Sequence, residues 1–303
     1  MDASRFFRWF ILITALAVSL FAHKLLLRDT PATIAFVSDR DGNPEIYTVL
    51  ADGTGLKRLT NDPGKDQSPC WSPDGKWIAF VSNRSGRWDV WKMAADGTGL
   101  QNLTHEQDRQ DSYPMWCASE PYIAFVSSRR FYTVTPDGTF IYERSEYLLP
   151  PDAQAAVSPA VLKYAFRNAK GQLATLEATD VKVVPLSYGV KGVPAQIFNP
   201  AWSSDGQELI FDSGGATPKI FTADLADGTC DPVMFDGYGT DPVFANGDGS
   251  VVFTIPKGEG TGSDIGIVSL DGVTGAGLPK PTNLTHITGN DSQPSVFDGH
   301  DES

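Results

Sequence analysis

The sequence predicts an all-β fold: a six-bladed β-propeller of four-stranded blades, its ring closed by the C-terminal strand, preceded by one N-terminal transmembrane helix. Two internal periodicities predict the ring. An apolar triplet, Ile34-Ala35-Phe36, recurs as Ile78-Ala79-Phe80, Ile123-Ala124-Phe125, Tyr164-Ala165-Phe166, Leu209-Ile210-Phe211 and Val251-Val252-Phe253, at spacings of 44, 45, 41, 45 and 42 residues. A second marker is a proline opening the strand before the triplet: Pro69, Pro114, Pro159, Pro200, Pro242 and Pro294. Two residues after each proline stand Trp71, Trp116, Val161, Trp202, Phe244 and Val296. A four-stranded unit repeating at this length is the period of a propeller blade.

The most regular copy runs from Ser68 to Thr104 and shows why each unit makes four strands. Pro69 to Ser72 leads into the turn Pro73-Asp74-Gly75, and Lys76 to Ser82 is a β-prone apolar run around Trp77, Ile78, Phe80 and Val81. Arg84 to Arg87 reverses the chain. Trp88 to Ala94 forms a third strand, Asp96-Gly97-Thr98-Gly99 is a turn of residues that tolerate positive φ, and Leu100 to Thr104 is a short fourth strand.

The two markers are offset by one unit, and the offset predicts closure. The proline precedes the triplet by nine residues in four units, and the unit of Pro159 has a shorter turn. Ile34 has no such proline before it, whereas the strand around Pro294 and Val296 has no triplet after it. The C-terminal strand therefore completes the first blade, which removes the sheet edges an open array would expose. The organisation expected is residues 1–30 as membrane segment and short linker, and residues 31–303 as the propeller.

The repeat carries a family likeness. Pro-x-Trp-Ser-Pro-Asp-Gly-Lys-x-Ile-Ala-Phe, Ser-x-Arg, Asp41-Gly42-Asn43-Pro44-Glu45-Ile46-Tyr47 and Asp-Gly-Thr-Gly-Leu-x-x-Leu-Thr resemble the TolB-type, WD40-like PD40 repeat over roughly residues 32–299. That resemblance implies a propeller used as a binding platform, as a periplasmic partner of an envelope machine, or as a gating domain joined to a peptidase. The peptidase case needs an α/β-hydrolase domain, for which this sequence has no residues to spare.

Phe6 to Leu27 is apolar apart from Arg8, Thr14, Ser19, His23 and Lys24, and a helix of that length spans about 33 Å. Two readings compete, a cleaved secretory signal with Ala17-Val18-Ser19 as a poor cleavage site, and a retained signal anchor. The length of the run and its resumption at Leu25 favour retention. Arg5 and Arg8 balance Lys24 and Arg28, so flanking charge does not orient the segment. The family resemblance orients it, implying a single-pass protein of the bacterial inner membrane with its propeller in the periplasm. The short stretch from Leu27 to Ala32 would hold the ring close to the bilayer.

Residues 31–303 hold 20 Lys and Arg against 35 Asp and Glu, a net charge of −15. Nucleic acid is excluded as a partner, since binding it requires a basic face. Cys70, Cys117 and Cys230 form no disulfide framework and are expected as small buried hydrophobes.

Candidate sites follow from equivalent positions. Asp66, Asp111 and Asp291 each stand three residues before the proline of consecutive blades. Gathered at one mouth of the channel they could hold a hard cation such as Ca²⁺ through oxygen ligands. Capping of each aspartate's own turn accounts for them without a metal. The Ser-x-Arg positions Ser38/Arg40, Ser82/Arg84 and Ser127/Arg129 suggest interblade ion pairs. Asp39 to Glu45 lacks the spacing of a calcium-binding loop and reads as a turn. His105 and His286 end outer strands and His300 lies in the tail, so no catalytic residues are expected. Asn102 and Asn283 match a glycosylation sequon, but the repeat itself accounts for them. Trp71, Trp116, Trp202 and Phe244 should pack between blades, and Trp88 is the candidate interface anchor.

The expected function is that of a non-catalytic, membrane-anchored periplasmic propeller that binds proteins as an accessory subunit of a larger membrane complex, respiratory, photosynthetic or transport-related. Its partners would be integral-membrane subunits, and no cofactor is expected beyond the candidate Ca²⁺. The alternatives are a soluble periplasmic TolB-like partner of an envelope-integrity system, and an enzyme or small-ligand binder that uses the channel.

Overall fold

A strand reading Ile-Ala-Phe turns its two large side chains to one face and its alanine to the other. Six such strands stack, large face against small face, around a ring. Ile78 and Phe80 pack with Ala35 and Val37 of the preceding blade. Ala79 and Val81 meet Ile123 and Phe125 of the following one. The alternation continues with Tyr164 and Phe166 against Ala124 and Val126, then Leu209 and Phe211 against Ala165, then Val251 and Phe253 against Ile210. The sixth cluster sets Ile34 and Phe36 of the first blade against Ala245 and Val252 of the last. The hydrophobic core is thus six interblade cores, and the phenylalanine of every triplet is fully buried.

The computed structural model describes residues 31–105, 109–118, 120–150, 154–160, 162–177, 180–184, 187–188, 196–245, 247–257, 262–270, 278–286 and 289–298. Residues 1–30, on which the expected transmembrane helix falls, lie outside them. Among the described residues no helix is long and apolar enough to cross a membrane.

The first blade is assembled from both ends of the propeller: Asp291–Phe297, Thr33–Ser38, Glu45–Leu50 and Lys57–Arg58. The second, third and fourth begin with inner strands Asp66–Trp71, Asp111–Trp116 and Ala155–Val157, and the sixth with Thr240–Ala245. All of these sheets are four-stranded and antiparallel. The fifth blade, with inner strand Phe198–Trp202, differs from expectation. Ser187–Tyr188, from the connection out of the fourth blade, pairs parallel to its outer strand Thr229–Pro232 as a fifth strand and covers that edge.

Closure occurs where the offset of the markers placed it. Thr33, Ile34 and Ala35 pair antiparallel with Phe297, Val296 and Ser295, and Val37 and Ser38 pair with Ser292 and Asp291. The closing strand also locks onto the second blade. The rings of Phe297 and Trp71 lie 5.7 Å apart, and Phe297 covers Gly75 so closely that a Cβ there would meet the ring at 2.3 Å. Gly75 also needs its φ of +65°, which L side chains rarely adopt.

The Leu-Thr that ends the repeat is a lock within the blade. The hydroxyls of Thr60, Thr104 and Thr285 accept the N–H groups of Ile46, Val90 and Ile265, at 2.8, 2.8 and 2.9 Å. Asn102 donates to Asp89 at 2.8 Å and accepts the Thr104 N–H at 3.0 Å, and Asn283 does the same for Asp264 and Thr285. The sequon-like Asn-Leu-Thr is therefore structural at both places. The loop from Asp39 to Glu45 is a turn: its Gly42 N–H donates to the Asp39 carbonyl, and the Asn43 amide ties it to the Asp62 and Gly64 carbonyls.

Pro159 requires a correction. In the fourth blade Ala156 pairs with Ala165 and Val157 with Tyr164, so the position of the repeat's proline is taken by Ala155, nine residues before Tyr164 like its counterparts. Pro159 lies beyond the strand, in the following turn. A chain ending at Asn290 would leave Ile34 and Phe36 on an open edge, and we expect no cooperative thermal transition from it by circular dichroism, whereas Phe80→Ala, which keeps the ring, should lower stability by about 3–5 kcal/mol.

Candidate functional site

Each inner strand lines the central channel, and five of the six carry the same irregularity. Ser68, Tyr113, Asn199, Asp241 and Gln293, each immediately before a proline, take φ values of 52, 51, 48, 51 and 53°. At each of them the ladder to the second strand skips, as between Gln67 and Cys70 or between Thr240 and Val243. Proline brings no N–H to the ladder, so it suits this bulge in a strand at the blade's inner edge. A non-glycine residue held at positive φ costs on the order of 1–3 kcal/mol, and such strain concentrates where a backbone serves a site.

The bulge frees backbone N–H groups from their own blade, and the preceding blade takes them up. Ser68 donates to Gln293 Oε1 at 2.9 Å, Asn199 to Gln154 Oε1 at 2.8 Å, and Asp241 to Asp212 Oδ2 at 3.2 Å. Beside them the Trp71 N–H donates to Ser295 Oγ at 3.2 Å. The result is a polar girdle that ties neighbouring blades together at the axis. Above it lies a cavity of about 850 Å³ to which all six inner strands contribute, opening among the turns that hold Asp74, Ser204, Gly247 and Asp298. That volume suits a ligand of small-molecule or short-peptide size.

The aspartates singled out in the sequence are elsewhere. Asp66, Asp111 and Asp291 are buried at the opposite ends of their strands, and none lines the cavity. Arg84 holds Asp66 at 2.6 Å, Arg40 holds Asp291 at 2.7 Å, and the Thr104 hydroxyl donates to Asp111. Arg40 takes both oxygens of Asp291, whereas Asp66 Oδ1 and Asp111 Oδ1 are buried with no hydrogen-bond partner among the described residues. Among the described residues no three His, Cys, Asp or Glu side chains are grouped to hold a metal ion.

The Ser-x-Arg arginines also differ from expectation. Arg40 and Arg84 pair within their own blades, and each Nε donates back to Ser38 or Ser82. In the third blade the turn shortens to Ser128-Arg129, both at positive φ, and Arg129 turns to the Leu149 carbonyl at 2.6 Å.

The tryptophans behave as interblade packing. Trp71 and Trp202 join clusters formed by two neighbouring blades, as does Phe244, and Trp116 packs against a fourth. Trp88, the candidate anchor, is half-buried against the interface of the second and third blades. Cys117 and Cys230 are buried, Cys70 is half-buried, and all three thiols are free. His105 and His286 are exposed, three residues beyond the outer strands Gln101–Asn102 and Thr282–Asn283.

Residues 29–141 match the family model of the TolB beta propeller domain, PD40. A 45-residue segment is 44% identical to the Tol-Pal system protein TolB of Desulfosudis oleivorans, covering 15% of this chain and 10% of that protein. TolB from Acinetobacter baumannii shares the fold at 18% identity, with a TM-score of 0.72 over 88% of this chain and 66% of that one. The chain resembles the TolB-type PD40 propellers, over residues 29–141 in sequence and over the ring in fold. A chain of a nidogen/laminin complex shares the ring at 11% identity and a TM-score of 0.64, covering 88% of this chain and 98% of that one.

Asp241, Asp212 and Asp111 of this ring are raised from the ordinary carboxylate value by burial. Burial pushes Asp241 up to about 6, helped by the Asp212 carboxylate and opposed by the Thr254 and Thr240 hydroxyls and the Gln293 N–H. Burial likewise raises Asp212. Burial also takes Asp111 up to about 6, against the Thr104 and Ser127 hydroxyls.

An acid whose folded pKa is raised destabilises the fold above that value, and the penalty fades as pH falls toward its ordinary 3.8. Asp111→Asn should therefore gain up to about 3 kcal/mol at pH 7.5 and little at pH 4, measured by denaturant titration at both.

Proposed function

We propose that this chain is a non-catalytic, protein-binding propeller, anchored in the bacterial inner membrane with its ring in the periplasm, and serving as an accessory subunit of a larger membrane complex. The observation that carries the binding role is the cavity, walled by all six blades and floored by a strained, hydrogen-bonded girdle. A rigid, internally bonded girdle and aromatic side chains on the walls suit recognition of a polypeptide segment, since they present a preformed surface that loses little freedom on binding. The two described histidines are exposed beyond the ends of outer strands and do not line this cavity, which supports binding rather than turnover there. The apolar run from Phe6 to Leu27 supports the anchor.

The matched segment spans a tenth of the curated TolB relative. Its 44% identity favours a second reading, a soluble periplasmic partner in an envelope-integrity system. The readings part at the membrane. On the first, the protein stays with membranes through alkaline washing and its intact mass includes the N-terminal segment. On the second, it washes off and lacks about twenty N-terminal residues.

The binding role has its own test. A photocrosslinking residue at exposed Ser204, on the cavity rim, should capture one discrete integral-membrane protein in living cells. The same residue at Asp52, on an outer turn, should capture none. Identical patterns from both positions would remove the cavity as the binding surface.

A further inference from the structure

The inner wall of the ring is electrically lopsided. In the first two blades an arginine from the turn after the second strand neutralises the acid that opens the inner strand. The register of the fifth and sixth blades places Ile197 and Gly239 at that acid position, and Gly215 and Lys257 at the position of the arginine. Lys257 turns away to Asp264, at 2.5 Å. What these blades have instead is a pair of carboxylates, with the Asp241 N–H on Asp212 Oδ2 and Asp241 itself on the cavity wall.

Among the described residues that line the cavity there is no lysine, arginine or histidine, while Asp74, Asp241 and Asp298 all line it. At the other bulges the residue equivalent to Asp241 is Ser68, Tyr113, Asn199 or Gln293, so the charge is particular to this blade. Trp71, Tyr113 and Trp116 give the wall aromatic rings on the side contributed by the second and third blades. A carboxylate on one side and aromatic rings on the other form a pocket for an organic cation, attracted by charge and by the rings' faces.

Resting on the protein-binding reading above, we infer that the cavity reads a basic residue, receiving an arginine or lysine side chain of a partner polypeptide with its head at Asp241 and its stem along the aromatic wall. A polypeptide fits better than a free small amine because about 850 Å³ leaves room for residues on both sides of the basic one. Long basic side chains pack their stems against apolar surface while the head finds its counter-charge. The like-charged pair of Asp212 and Asp241 is relieved by an incoming cation, and the raised pKa of Asp241, about 6, ties recognition to pH. Protonated Asp241 offers the ligand no charge, so affinity should fall as pH drops through 6.

The test uses the full chain and three short capped peptides: acetyl-Gly-Arg-Gly-amide, its neutral isostere with citrulline, and the lysine version, titrated by calorimetry with tryptophan fluorescence as a second signal. The arginine and lysine peptides should bind at least tenfold tighter than the citrulline peptide at pH 7.5, and that preference should shrink at pH 5. Asp241→Asn, which keeps an acceptor for Thr254, should lose the preference. Equal affinity for arginine and citrulline, or an unchanged preference in a folded Asp241→Asn protein, overturns the inference. Should that variant not fold, Asp241→Ser, the residue type the second blade carries at the same bulge, decides: loss of the preference supports the inference, and an unchanged preference overturns it. Arginine selectivity without any protein captured from Ser204 leaves this inference standing and removes the accessory-subunit reading. A captured partner with no selectivity does the reverse.

Discussion

The pairing of Asp291–Phe297 with Thr33–Ser38 is the constraint on which the rest depends. A blade in this protein has no core of its own. Its large face is buried by the preceding blade and its small face by the following one, so an open row of six would leave one large and one small face in water. The closing strand converts that row into a ring and brings the sixth core into being between the last and first blades. Because it comes from the far end of the chain, every blade between is held by it. Contacts some 250 residues apart, such as Arg40 with Asp291 and Asn290 with Asp39, sit on this one seam. Loop-closure entropy grows only slowly with length, so a seam that distant remains accessible to a chain of this size.

The same geometry explains why the inner strands, rather than the outer ones, carry the irregular backbone. Near the axis six strands converge, and a regular strand would spend all its N–H groups on its own blade. A bulge at each X-Pro step leaves an N–H free and lets the neighbouring blade accept it, which gives interblade cohesion where there is little apolar surface to bury. The outer strands are short, down to two residues at Lys57–Arg58, Gln101–Asn102 and Thr282–Asn283, and there the threonine lock of the Leu-Thr sequence holds the strand to its neighbour. Inner and outer edges are thus secured by different polar devices, with the dry core between them.

The ring was legible in the sequence because its period is set by side-chain volume. Ile-Ala-Phe and its variants are repeated for the reason the blades stack, and the offset of the prolines placed the closing strand. The devices built from polar contacts were less legible. Ser-x-Arg was recognisable as a position, but its partner stands 18 residues earlier at Asp66 for Arg84, and 251 residues later at Asp291 for Arg40. No local pattern tells a pair within a blade from one between blades. Pro159 misled because a proline in the next turn imitates the marker, where the nine-residue interval pointed to Ala155. The positive φ at Asp241 and its equivalents could not be read from residue type, since none is glycine. Yet one signal was present: the residue before the repeat's proline is polar in all five of these blades, in a strand where the following apolar positions are regular.

A repeat scaffold makes its functional positions visible by contrast. Where all blades agree, the shared residue serves packing or closure, which every blade needs. Where one blade departs without a structural return, the residue answers to something outside the ring. Asp241 is such a departure: its carboxylate accepts the Gln293 N–H of the next blade, as the neutral side chain of Gln293 accepts that of Ser68, so the girdle needs an acceptor here but not a charge, and burial opposes the charge. A carboxylate retained at a half-buried position on the axis, with no lysine or arginine among the described residues of the cavity wall, is better explained by a charge that arrives from solution than by the fold that surrounds it.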